Sequence, residues 1–530
     1  MAPFNLRDVL IERDFLFRPS TVKILVVIDG SVQVTQGGFS VHRFVRLLRE
    51  TQVGCTKFDV DIAHRGTPIN TSGADPKYQN FTFDQTESGS RVIDKYHQLW
   101  LLGINNESDA IGNAEILAVN DFMAAGGGVF ANGDHNNLGA AMGAFVPRVR
   151  KMRRWTESDN APDSSHPPSG TWGSWINTHW APSSNVIPSG AETDSTPQPI
   201  DWVTWRTATG PFLFSRQKRP HPILCHPQRG PIDVMPDHTH EGRVRNLSEI
   251  DLTTDFVANG TNLGAEFPVA GDGTQPKPFV IANGRTLSEP PNDHIGYNSV
   301  PGVQFPMISV YDGRPAGVGR IVTDSTWHHW FDLNIEPLES GNTPAWEKVS
   351  RYFLNIATWL SPSVFRQHCL LDVIVAPYEY PGVEMLNPRF DTERLGLGLA
   401  EHLRVTRGPC WVTEFIYTSI CDLIPEVCEV IIPDDRPPGP FPPDPCWSCP
   451  PWERFENIAL GGLARIALGY QDDILTTLKK GKAPSQLRLD EFEARFAKGL
   501  RASIEEAAKS VVTSAKQTVD KWSSITEIKR

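Results

Sequence analysis

The segment PDHTHEG places Asp237, His238, His240 and Glu241 within residues 236–242. Imidazole and carboxylate side chains bind divalent metals and move protons near neutral pH. On a strand His238 and His240 share a face, whereas on a helix they diverge. Extended backbone is therefore compatible with His238 and His240 as a ligand pair, and with Asp237 they are the candidate ligands for a divalent metal such as zinc. The same groups suit a metal-free scheme, in which a His acts as general base oriented by a carboxylate. Their spacing leaves both schemes open and does not match the HExxH zinc helix. A hydrogen-bonded polar turn is a third use for the same residues.

Two further stretches carry comparable groups. NGDH at 132–135 supplies Asp134 and His135, and STWHHW at 325–330 supplies His328 and His329 just after Asp324. Neighbouring His residues on an extended segment point to opposite faces, so at most one of the two is expected to face a site. The other is expected to pack with Trp327 and Trp330. Asp134 has two expected uses, on a strand-to-helix elbow or as a simple N-cap.

These groups can meet only if the chain brings them to one edge of a sheet. VKILVVID (22–29), CTKFDVDIA (55–63), HQLWLLG (97–103) and GVFANGD (128–134) read as strands. GGFSVHRFVRLLRE and AEILAVNDFMAAGGG between them read as helices. The alternation predicts an α/β fold with a flavodoxin-like open parallel sheet and helices on both faces. In such sheets ligands bind beyond the carboxyl ends of the strands, where Asp29, Gly103, Asn105, Asn132 and Asp134 would lie. Strand-like runs resume at HPILC (221–225), PFVIANG (278–284), PMISVYDG (306–313) and GRIVTDST (319–326), and AWEKVSRYFLNIATWL (345–360) reads as a closing helix.

The sequence predicts an α/β domain over 1–362, interrupted at about 155–220 by a Pro- and Ser-rich insertion. That insertion holds Trp155, Trp172, Trp175, Trp180, Trp202 and Trp205. So much aromatic surface predicts packing rather than a loose linker, and one use for it is stacking on a sugar ring. An accessory region with cysteines (363–433), a proline-rich linker (434–451) and a helical segment (452–530) follow. In the last, Asp490 and Glu493 resemble a capping box, and the amphipathic helices suit docking on a second copy or a protein partner.

Composition narrows the classes. A net charge of −12 argues against a general nucleic-acid surface, and the basic run Arg148, Arg150, Lys151, Arg153, Arg154 reads as a solvated or inter-element face. No apolar stretch is long enough to span a bilayer, and the first residues do not read as a signal peptide. Eight unevenly spaced cysteines fit a reducing, cytoplasmic setting. Cys225 reads as a buried thiol, and Cys446 with Cys449 supply only two of the four ligands of a structural zinc site. No P-loop, GxGxxG or GxSxG motif is found.

KILVVID at 23–29, GGGVFANGDH at 126–135, HPI at 221–223 with PDH downstream, and GVGRIVTDSTWHHW at 317–330 resemble the class I glutamine-amidotransferase-like fold, in its trehalose-utilisation (ThuA-like) branch. The resemblance covers roughly residues 20–360. It implies a pocket built by His135 or its neighbours, Asp237 with His238, and His328 or His329. The Gly-x-Cys-x-Gly elbow of true glutamine amidotransferases is missing, so glutamine hydrolysis by a cysteine is not expected. The elbow His is offset by two residues, and the usual Asp-Glu pair is Asp-His here. Two functions follow as expectations. One is a hydrolase or sugar-modifying enzyme that uses Asp134, His135, Asp237, His238, Glu241 and His328 or His329 on a small molecule such as a carbohydrate. The other is a non-catalytic member of the fold that engages a protein partner.

Overall fold

The computed structural model describes residues 20–53, 56–134, 138–155, 176–177, 197–209, 216–236, 240–285, 304–341, 343–361, 392–408 and 456–466, with isolated helical positions at 412, 415 and between 498 and 520. The chain forms two compact units. One joins Ser20–Thr204 to Ile223–Phe365, and the other joins Met1–Pro19, Trp205–Pro222 and Arg366–Arg530. Trp205–Pro222 thus belongs with the C-terminal residues rather than with the α/β unit.

In chain order the α/β unit contains β1 (Ser20–Ile28), α1 (His42–Glu50), β2 (Thr56–His64), β3 (Gln98–Leu102), α2 (Asn113–Ala124), β4 (Gly128–Ala131), α3 (Ala140–Gly143), α4 (Val149–Met152), β5 (Asp201–Trp202), β6 (Phe279–Arg285), β7 (Gln304–Asp312), β8 (Arg320–Asp324), α5 (Asp332–Ser340) and α6 (Pro344–Trp359). The strands make one sheet in the order β2-β1-β3-β4-β8-β7-β6-β5. Pairing is parallel from β2 to β8 and antiparallel from β8 through β7 and β6 to β5. The expected open parallel sheet is present and carries an antiparallel extension. β7 and β8 are almost wholly buried. Their sequences therefore look like parallel strands although they form a hairpin.

Alternation along β1 sends its side chains to two cores. Ile24, Val26 and Ile28 join Phe44, Leu48, Trp100, Phe130, Trp330 and Phe353. Leu25 and Val27 join Leu99, Leu101, Ile116, Val119 and Phe122 on the other side. Helices α1, α5 and α6 supply residues to the first core and α2 to the second, so both faces are covered. Aromatic packing centres on Trp330, whose ring lies 4.4 Å from Phe130 and 4.6 Å from Phe353 between centroids.

Some local expectations change. HPILC is not a strand: Pro222–Leu224 is a 3-10 turn, and only Cys225–His226 pairs, with Gly230–Pro231. Cys225 is buried. The basic run lies between elements, one of its two expected uses, with Arg148 and Arg153 buried and Arg150, Lys151 and Arg154 half-buried. Arg148 and Arg150 both bond Glu266, and Arg153 is fully buried. Trp155 is buried with the Arg153 guanidinium 4.7 Å above its ring. Trp172, Trp175 and Trp180 lie outside the described residues, as do Asp490, Glu493, Cys446 and Cys449.

In the other unit, helix α7 (Thr392–Thr406) meets the helix at 456–466. Arg404 bonds Glu456 at 2.7 Å and Arg465 bonds Thr392 at 2.6 Å, which sets the two helices antiparallel. Among the described residues no helix is long and apolar enough to cross a membrane.

Candidate functional site

Parallel strands β1, β3, β4 and β8 end on one edge, so Asp29, Gly103, Asn132 and Ser325 follow them side by side. After β8 the chain turns immediately, and residues 325–330 form bends and turns rather than strand. The alternation expected for the His pair therefore does not apply, and each imidazole meets its own carboxylate.

His329 Nδ1 lies 2.8 Å from Asp324 Oδ1. A carboxylate oxygen accepts, so Nδ1 carries the proton and a neutral ring has its lone pair on Nε2. Asp324 Oδ2 accepts from Trp330 Nε1 at 3.0 Å and from the Tyr352 hydroxyl at 2.9 Å. Burial first, and then the Asp324 charge, push the Tyr352 phenol well above its usual range, so it stays a donor.

His328 Nδ1 lies 3.0 Å from Asn334 Oδ1, and its Nε2 lies 3.7 Å from Asp134 Oδ2. Trp327 packs over the His328 ring with centroids 3.8 Å apart. Asp134 Oδ1 accepts from Thr326 Oγ1 at 2.9 Å. The carboxylate thus faces the turn after β8, and among the described residues it caps no helix. Helix α3 begins beyond it, with Gly139 as its N-cap.

Glu241 reaches the same edge. Its Oε2 accepts from Ser325 Oγ at 2.5 Å and its Oε1 from Gln198 Nε2 at 2.6 Å. Gly242 lies so near that a Cβ there would stand 2.5 Å from the Asp134 carbonyl oxygen. Arg153 ties the loops together, donating to the carbonyls of Asp134 (2.8 Å), Asp324 (3.0 Å) and Ser325 (2.6 Å). Sequence reasoning missed Arg153, Ser325 and Tyr352. Nothing in an arginine run or in a helical tyrosine marks such contacts before the chain is folded.

Asp134, Glu241, His328 and His329 are therefore brought to one edge, and each is at most 1% exposed. His135, Asp237 and His238 lie outside the described residues, as does the side chain of His240, whose backbone pairs with Asn177. Among the described residues no three His, Cys, Asp or Glu side chains are grouped to hold a metal. A cleft of about 420 Å³ lies apart from this edge, lined by His42, Arg46, Arg49, Asp61, Asp75 and Lys77. Its Arg49 and Lys77 are already bonded to Asp75 and Asp61.

Asp29 is a buried carboxylate at the end of β1. Its Oδ1 accepts the backbone N–H groups of Ile104 (2.7 Å) and Asn105 (3.0 Å). Burial outweighs those bonds and raises its pKa above the ordinary 3.8. A raised folded pKa means that the stability contributed is complete below the unfolded value and is lost as pH rises through the folded one. Asp29→Asn removes this titration. Its stability relative to the natural protein is expected to improve as pH rises from about 4 to 7, and urea midpoints across that range check the sign. A flat or opposite trend would show that burial does not raise the Asp29 pKa.

No family model matches the chain, and no curated protein matches it. Among solved structures it is similar to a thua-like protein from Parabacteroides merdae ATCC 43184, with 11% identity and a TM-score of 0.27 over 64% of this chain and 90% of that one. That likeness assigns no activity here.

Proposed function

We propose that this protein is a hydrolase acting on a small neutral substrate such as a carbohydrate, with His329 as general base held by Asp324. The observation that carries the reading is the 2.8 Å contact between His329 Nδ1 and Asp324 Oδ1 at the carboxyl end of a parallel strand. A carboxylate on Nδ1 fixes the tautomer and stabilises the imidazolium that forms when Nε2 takes a proton from water. Asp134 with His328 and Glu241 with Ser325 supply further acid–base groups on the same edge. His329 is fully buried, so catalysis includes an opening step that admits substrate.

Complete burial also favours a second reading, in which the edge is an internal polar network and the protein binds partners without catalysis. A panel of chromogenic glycosides and esters separates the two. Under the hydrolase reading, His329→Gln lowers kcat/KM by about 10³-fold on any substrate that is turned over. Turnover that survives this substitution removes His329 as the base, and no turnover by the natural protein across the panel supports the binding reading instead.

A further inference from the structure

Asn132 is 1% exposed, and among the described residues neither its Oδ1 nor its Nδ2 has a hydrogen-bond partner. Buried amides are almost always satisfied, so a side chain with both groups unpartnered is an exception that needs a reason. The strand register places it. Leu101 pairs with Ala131 and Thr323 with Ala131, and the ladder continues through the bond from Asn132 N to the Leu101 carbonyl. One residue further on, Leu102, Asn132 and Asp324 stand level on adjacent strands, which are about 4.8 Å apart.

Alternation also sets the face. Val129 and Ala131 belong to one core, while Phe130 belongs to the other with Leu102, Trp330 and Tyr352. Asn132 follows Phe130 on that second face. Asp324 lies on the same face, since Trp330 and Tyr352 donate to it. An amide offering one acceptor and two donors therefore stands one strand away from the carboxylate that orients His329.

We infer that Asn132 is a ligand-binding residue of this edge, recognising a neutral group that both donates and accepts, a hydroxyl or a primary carboxamide. This rests on reading the edge as a ligand site, and hydrolysis there is a separate matter. A side chain kept for the stability of the core would have its polar atoms matched from within. One kept for a ligand leaves them open at a cost to stability.

The test uses the full chain and the variants Asn132→Leu and Asn132→Ser. Leucine is close to asparagine in shape and lacks the buried polar atoms, so it is expected to raise Tm by about 2 °C. Glucose, N-acetylglucosamine and nicotinamide serve as probes, followed by thermal shift and equilibrium dialysis. The natural protein is expected to bind at least one of them. Asn132→Leu should bind that probe at least tenfold more weakly, and Asn132→Ser, which keeps a donor and an acceptor, should fall between. A Tm several degrees lower for Asn132→Leu would make the amide structural and overturn the inference. Equal binding by Asn132→Leu, or no binding of any probe by the natural protein, overturns it as well. Probe binding with no turnover across the glycoside and ester panel would remove the hydrolase reading and leave Asn132 as assigned.

Discussion

Asp324→Asn is expected to destabilise the α/β unit by about 3 kcal/mol. Three donors converge on this fully buried carboxylate: His329 Nδ1–H, Trp330 Nε1–H and the Tyr352 hydroxyl. Asparagine has one accepting oxygen, and its NH₂ must then face at least one of those donors inside the core. Tyr352→Phe removes a single donor and leaves the other two in place, so about 1 kcal/mol is expected. The double variant should lose less than the sum, because both changes act on one oxygen. Urea unfolding of the four proteins gives the cycle. Strict additivity, or a loss under about 1 kcal/mol for Asp324→Asn, would mean that the carboxylate does not anchor the turn after β8.

Gly461→Ala is expected to undo the packing of α7 on the helix at 456–466, a loss on the order of 4 kcal/mol. A Cβ on Gly461 would stand 1.7 Å from the Thr392 carbonyl oxygen, and one on Gly396 would stand 1.5 Å from that of Asn457. Both obstacles are backbone, which no rotamer change can move aside. Separating the helices would also strain the bonds from Arg404 to Glu456 and from Arg465 to Thr392. Hydrogen exchange over 392–406 and 456–466 reads the effect. Gly396→Ala should behave alike, and Leu397→Ala, at a position 41% exposed, should change little. Unaltered protection in both glycine variants would show that the close approach is not needed.

Both expectations concern residues whose roles were legible in the sequence to different degrees. Asp324 could be placed at a strand end from GRIVTDST alone. Its three donors could not, because Tyr352 lies 28 positions away and meets it only through the packing of α6. LGLGLAEHL reads as a helix, yet nothing in it shows that Gly396 must face another glycine-bearing helix. In STWHHW, His328 packs against Trp327 in line with the expectation that one His of the pair packs there, whereas which His meets which carboxylate was not legible. Alternation holds only while backbone stays extended, and here the chain turns directly after Asp324.

By itself the sequence determined the strands and helices of the parallel half, since apolar runs of four to nine residues and helical periodicity are local properties. It also determined which ionisable groups fall at strand ends. Tertiary structure alone decided that β7, β6 and β5 extend the sheet antiparallel beyond β8, because β7 and β8 are almost wholly buried and such strands carry no mark of direction. It decided too which His meets which Asp, and that Asn132 stands level with Asp324. Such partnerships depend on register between strands distant in the chain, and register is set by the packing of the whole sheet.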